Sequence, residues 1–118
     1  MSNDNDISQK SINEAVNYIY SHGQKYAKAK GELTYMEEFR KSKKAMLMKT
    51  ALSNGIAKSS AAAEMEAYAD VSYVELLKGI EAATEAAEGL RWGLVAAQAR
   101  IDVFRSLEAS NRMMDRHA

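Results

Sequence analysis

Residues 73–104 read YVELLKGIEAATEAAEGLRWGLVAAQARIDVF, and this stretch decides the fold. Apolar residues recur along it at alternating steps of three and four, the spacing that places side chains on one face of an α-helix. We call this row the apolar seam; its members are Tyr73, Leu76, Ile80, Ala83, Ala87, Leu90, Leu94, Ala97, Ile101 and Phe104. The repeat lasts more than four heptads. The sequence therefore predicts a long C-terminal helix over residues 73–112 that packs as a coiled coil.

The rest of the chain is also typical of helices. The protein has 118 residues and no proline, and it is rich in Ala, Glu, Lys, Leu and Met, which favour helix. This length is enough for one domain. We expect an all-α fold of a single helical domain, residues 1–118, with a flexible polar N-terminus over residues 1–10.

Capping signals predict two shorter helices before the long one. The first begins at the capping box Ser11–Glu14, although Asp6 or Ser8 could begin it earlier. It ends at Gly31, because glycine is a common helix stop. The second begins at the box Thr34–Glu37 and ends at Asn54-Gly55. The resulting architecture is a coiled-coil-like bundle.

The stretch between the second helix and the long helix carries further start signals. A helical segment is predicted from Ser59 or Ser60 to Ala69. After it, Ser72 and Glu75 form another capping box. Either a new helix begins at Tyr73 or one long helix carries a redundant cap, and we favour a kink or short break there.

A second apolar row lies on another side of the long helix. It consists of Trp92, Val95, Ala99 and Val103, which we call the outward row. A helix that is apolar on two sides is buried on two sides, and tryptophan is a frequent interface anchor. The sequence therefore predicts a homo-oligomer or a dedicated protein partner that binds at these four residues.

Charge is balanced in sum but segregated along the chain, with 16 basic and 16 acidic residues. Residues 24–58 hold nine basic residues against three acidic ones, and residues 64–90 hold seven acidic residues against one basic residue. The two blocks could face each other across antiparallel helices, within or between chains. A second interpretation is that the acidic block 64–90, with Glu81, Glu85 and Glu88, mimics DNA and inhibits a host nuclease or defence complex.

The basic block supports another hypothesis, binding of single-stranded nucleic acid over residues 25–49. Proteins of that class combine a cationic track with aromatic rings on which bases stack. Rings could come from Tyr18, Tyr20, Tyr26 and Tyr35. The candidate cationic residues are Lys25, Lys28, Lys30, Arg40, Lys41, Lys43 and Lys44.

The sequence lacks the residues and motifs that several classes of function require. The chain has two histidines and no cysteine, and it contains neither a phosphate-binding glycine loop nor a serine-nucleophile motif. Glu81, Glu85 and Glu88 lack the histidines of a di-metal helical site. We expect no enzyme, no cofactor and no metal. The sequence has no stretch of about 20 apolar residues for a membrane span, so we expect a cytoplasmic protein.

Three stretches carry a resemblance to a known group of proteins. They are FRKSKKAMLM at residues 39–48, AAEMEAYA at residues 62–69, and ARIDVFRS at residues 99–106 continuing through Asn111-Arg112. Together they resemble small all-helical proteins encoded by phages and prophages among genes for replication and recombination. The resemblance covers residues 35–112. It implies an accessory role in phage DNA metabolism or host take-over, and it assigns no catalytic residue. We expect a non-enzymatic protein of the host cytoplasm that contacts the DNA recombination or replication machinery.

Overall fold

A computed structural model describes residues 9–117, and within this range the chain forms three α-helices and no strand. They are α1 (Gln9–Ser53), α2 (Ser60–Ala69) and α3 (Val71–His117). The prediction of an all-α fold with two shorter helices and a long C-terminal helix is confirmed.

The contacts of the chain group into two compact units. The terminal unit combines α1 as far as Ala27 with α3 from Glu88 onward, and the central unit comprises Lys28–Ala87. Both long helices therefore contribute to both units. Whether residues 1–118 behave as a single domain stays a prediction.

In the terminal unit, α1 and α3 run antiparallel. Ser11 of α1 contacts Arg100 of α3, whereas Tyr18, two turns later in α1, lies against Gly93, two turns earlier in α3. A buried cluster fills the space between the two helices, with Tyr18, Ile19 and Phe104 packed around it; its members are Ile12, Ala15, Ala97 and Ile101.

In the central unit, α1 also runs antiparallel to α2 and α3. Met36 of α1 approaches Gly79 of α3, and Lys44, two turns further along α1, binds Glu64 of α2. Near the loop between α1 and α2, a second cluster consists entirely of alanines, with Met48 and Ala62 packed against it; these are Ala51, Ala57 and Ala63.

The apolar seam faces inward along its whole length. All ten of its residues are buried or half-buried. In the terminal unit, Ala97, Ile101 and Phe104 pack with residues of α1. The seam is thus used for packing within the chain, whereas the outward row lies at the surface of α3.

The predicted helix stop at Gly31 is wrong. Residue 31 lies inside the continuous 45-residue α1, and the glycine with a positive φ among the described residues is Gly55. A mid-helix glycine costs about 1 kcal/mol relative to alanine. Packing of the neighbouring Leu33, which is buried, offsets that cost, so the box at residues 34–37 is an internal segment of α1.

The predicted stop at Asn54-Gly55 is confirmed. Gly55 has a φ of 73°, and the Ile56 N–H donates to the Ala51 carbonyl at 3.0 Å, which closes the end of α1. The predicted start of the next helix also holds. Ser59 is the N-cap of α2, and its Oγ accepts a hydrogen bond from the Ala62 N–H at 3.1 Å.

The predicted break before α3 exists, but its cap is Asp70 rather than Ser72. Asp70 has an extended backbone between α2 and α3. Its Oδ1 accepts hydrogen bonds from the Ser72 N–H at 2.8 Å and from the Ser72 hydroxyl. A carboxylate accepts hydrogen bonds from both donors at once, and its negative charge is stabilised by the positive end of the helix dipole. The helix α3 therefore begins two residues earlier than predicted.

The predicted outer boundaries also change. The long helix, predicted over residues 73–112, spans Val71–His117. Gln9 and Lys10, which the sequence placed in the flexible N-terminus of residues 1–10, begin α1, and residues 1–8 lie outside the described range.

The cap of α3 makes stability depend on pH. The hydrogen bonds from Ser72 lower the pKa of Asp70 below its ordinary value of 3.8. Its stabilising contribution is therefore complete above that ordinary value and is lost as the pH falls through the lowered one. We expect Asp70→Asn, which keeps a capping side chain without a charge, to flatten the fall in Tm between pH 7 and pH 2. Thermal unfolding followed by circular dichroism measures this. Asp115→Asn is the control, and an equal flattening in that variant would contradict the assignment.

Replacement by alanine is expected to have opposite effects on stability at two glycines of α3. No atom lies within 4 Å of a Cβ added at Gly89, whereas at Gly93 such an atom would overlap the Tyr18 hydroxyl and lie 3.1 Å from its Cζ. We expect Gly89→Ala to stabilise the protein by about 0.5–1 kcal/mol through helix propensity. Gly93→Ala forces the Tyr18 ring to move, so we expect it to destabilise. Urea unfolding of the two variants tests this, and an equal stabilisation would contradict the close contact.

Candidate functional site

The four predicted partner-binding residues share one exposed face of α3. Trp92, Val95 and Val103 are 58%, 45% and 50% exposed, and Ala99 between them is exposed as well. Leu94, on the opposite side of the helix, belongs to the inward-facing seam. The structure therefore brings these four side chains together on the surface of the terminal unit.

The exposed Trp92 side chain is held by its neighbours. The Arg91 guanidinium carbon lies 4.5 Å from the centre of the indole ring. Glu88 fixes that guanidinium, since its carboxylate accepts hydrogen bonds from Arg91 at 3.0–3.3 Å. These hydrogen bonds, together with the charge of Glu88, raise the pKa of Arg91. A cation over the ring restricts the indole before any partner arrives, which lowers the entropy cost of binding.

The exposed apolar surface continues beyond the predicted residues. Leu107 follows Val103 by one helical turn, and Met114 follows Leu107 by two turns; both are exposed. The spacing of four and seven residues was the sequence signal for this extension. The face available to a partner on α3 therefore reaches from Trp92 to Met114.

A second candidate site lies in the central unit, which we call the tyrosine pocket. Residues from all three helices line it: Arg40, Lys41, Lys44, Tyr68 and Tyr73. The two tyrosine rings meet edge to face, with centroids 5.5 Å apart. Tyr73 is buried, whereas Tyr68 is 46% exposed. The pocket thus combines an anchored ring, an accessible ring and three cationic side chains.

Lys44 ties the pocket together. Its Nζ donates to Glu64 Oε2 at 2.8 Å and lies 4.7 Å from the centre of the Tyr68 ring. The hydrogen bond with Glu64, followed by that with Tyr68, raises the pKa of Lys44. This ion pair is one contact between the basic and acidic blocks within the chain. Whether the blocks as a whole face each other stays a prediction.

The other two cations of the pocket are available to a ligand. Arg40 makes no hydrogen bond or ion pair with any residue between 9 and 117. Lys41 pairs with Glu38 at 3.0 Å, but both side chains are more than two-thirds exposed, and such surface pairs contribute about 0–1 kcal/mol.

The remaining predicted nucleic-acid residues do not line this pocket. Lys25 belongs to the terminal unit, and Lys28 and Lys30 belong to the central unit; all three are exposed. Lys43 is half-buried, and its charge adds to the lowering of the pKa of Asp70.

The tyrosines proposed from the sequence for stacking do not line this pocket, and two of them stack on other rings of the chain. Tyr18 stacks on His22 with ring centroids 3.8 Å apart, and Tyr35 stacks on Phe39 at 6.1 Å. The pocket instead uses Tyr68 and Tyr73, which sequence reasoning missed. The sequence feature that could have identified them is their position on either side of the short break between α2 and α3.

The three glutamates singled out in the acidic block all lie on α3. Glu81 and Glu85 are exposed, and Glu88 binds Arg91, so the DNA-mimic interpretation stays a prediction. Between residues 9 and 117 there is no cluster of three or more potential metal ligands. Over the same range, no helix is both long enough and apolar enough to cross a bilayer.

Comparison with known proteins gives no relative for this chain. No protein-family model, no curated protein and no solved structure matches it.

Proposed function

We propose that this protein is a non-enzymatic helical assembly protein that binds through the outward row of α3, first to a second copy of itself. The observation that carries the proposal is the exposure of Trp92 on the same face of α3 as Val95, Ala99 and Val103. An aromatic anchor surrounded by aliphatic side chains is the usual centre of a protein interface.

The composition of the interior supports self-association. Among the described residues, seven of the eleven buried apolar residues are alanines, and no large side chain is fully buried. Burying an alanine removes little apolar surface from water, whereas burying a Val or Leu side chain contributes about 1.5–3 kcal/mol. The isolated chain therefore leaves much of its hydrophobic stabilisation unused, and a second α3 offers a matching apolar row.

The biological setting of this proposal rests on the sequence resemblance to phage and prophage proteins. We propose that the assembly acts in the host cytoplasm as an accessory of phage DNA recombination or replication, through contact with a protein of that machinery. The apolar face from Trp92 to Met114 is long enough to serve both a second copy and such a partner.

The oligomer is tested by light scattering coupled to size exclusion over a range of concentrations. We expect the wild-type chain to give a multiple of 13.1 kDa. Trp92→Ala removes the anchor, and loss of about 2 kcal/mol weakens dimerisation about 30-fold. Met65→Ala on α2, which is 73% exposed, is the matched control and retains the wild-type mass. A wild-type mass of 13.1 kDa at millimolar concentration would refute self-association.

The one tryptophan of the chain provides an independent readout. Because Trp92 is both the proposed anchor and the chain's sole tryptophan, its fluorescence reports on the proposed interface alone. We expect acrylamide quenching to decrease as the protein concentration rises through the dimerisation range. Quenching that stays constant while the mass increases would place the oligomer contact on a different surface.

A further inference from the structure

The tyrosine pocket carries an inference that is independent of the outward row. Its five lining residues all belong to the central unit, so one compact part of the chain builds the whole site. The pocket offers two kinds of contact side by side: cationic side chains on α1, and tyrosine rings at the junction of α2 and α3. A ligand that fits must therefore carry negative charge next to a flat apolar group.

The positive charges of Arg40 and Lys41 are accessible to a ligand without disruption of the fold. Arg40 has no partner among the described residues, and its planar guanidinium matches the oxygens of a phosphate group. Lys41 can leave the exposed Glu38 for a phosphate at little cost, because surface ion pairs are weak. These two side chains supply the anion contacts, while Lys44 stays bound to Glu64.

The ring at the pocket is positioned for stacking. Tyr68 is held by the Lys44 ammonium group and by an edge-to-face contact with Tyr73, which is itself buried. About half of Tyr68 nevertheless remains exposed. A rigid, half-exposed ring stacks on a planar group at low entropy cost, and nucleobases stack on tyrosine without regard to their identity.

We infer that the tyrosine pocket binds single-stranded nucleic acid, with one phosphate on Arg40, a second on Lys41 and a neighbouring base on the exposed part of Tyr68. A phosphate next to a planar ring is the repeating unit of a nucleic-acid strand. The strand is single, because a base inside a duplex presents only its edge, whereas stacking on Tyr68 requires its face.

The small number of cations sets a measurable salt dependence. For single strands, the slope of log K against log salt is about −0.7 for each phosphate that is neutralised. Two phosphate contacts at Arg40 and Lys41 therefore predict a slope of about −1.4. Replacing either residue by glutamine reduces the magnitude of the slope by about 0.7.

Fluorescence anisotropy with the full chain tests the inference. The probes are a labelled 20-nucleotide oligothymidylate, an abasic strand of the same length, and a duplex of the same length, at 50–200 mM NaCl. We expect the oligothymidylate to bind most tightly. The abasic strand keeps the phosphates but loses the stacking, so it binds about tenfold more weakly. Equal affinity for all three probes, or no binding at 50 mM NaCl, would overturn the inference.

Matched variants locate the site on the protein. Tyr68→Ala is expected to lower affinity for the oligothymidylate about tenfold and to leave the abasic strand unaffected, whereas Tyr68→Phe, which keeps the ring, binds as the wild type. Tyr20→Ala is the control for an exposed tyrosine in the terminal unit.

The charge contacts have their own control. Arg40→Gln is expected to lower affinity for both single strands, whereas Lys49→Gln, at an exposed cation of α1 outside the pocket, is not. Equal losses in these two variants would indicate diffuse attraction to the basic block and would overturn the pocket as the site. Far-UV circular dichroism of Tyr68→Ala and Arg40→Gln confirms that helix content is retained, and Tyr68→Phe keeps the test valid if Tyr68→Ala unfolds.

Discussion

The close packing of small residues along α3 is the constraint on which the rest of the structure depends. Ala97 of the seam packs against α1 in the terminal unit, and Gly93 lets the Tyr18 ring lie directly against the α3 backbone. Helices that touch through alanine and glycine can approach closely, but they enclose little space for large side chains. Large apolar side chains outside the seam, such as Trp92, are displaced to the outer faces of the helices.

This displacement produces the surfaces on which function is proposed. Trp92 and its neighbours are exposed because α1 occupies the opposite side of α3, where the seam lies. In the central unit, Tyr73 packs inward while Tyr68 stays at the surface beside Lys44. A core that buries little apolar area gains stability from further burial elsewhere, which is the physical ground for the association that we propose.

The sequence predicted the helix ends at the loop between α1 and α2 and failed where one local signal competed with others. Gly55 ends α1 because its left-handed conformation closes the hydrogen bonds of the last turn. Residue 31 is a glycine like residue 55, but the buried Leu33 and the helix-forming residues on both sides keep it helical. At the start of α3, two capping side chains lie two residues apart, and the carboxylate of Asp70 caps in preference to Ser72 because it accepts both donors of that serine.

The sequence by itself determined the helical class, the inward seam and the outward row at Trp92, because periodicity along one helix fixes which side chains share a face. Only the tertiary structure decided which segment covers the seam. It showed that α1 does so within the chain, antiparallel in each unit. It also brought Arg40 and Lys44 to Tyr68 and Tyr73, since contacts between residues about 30 positions apart depend on how helices pair, and periodicity within a helix carries no information about its partner.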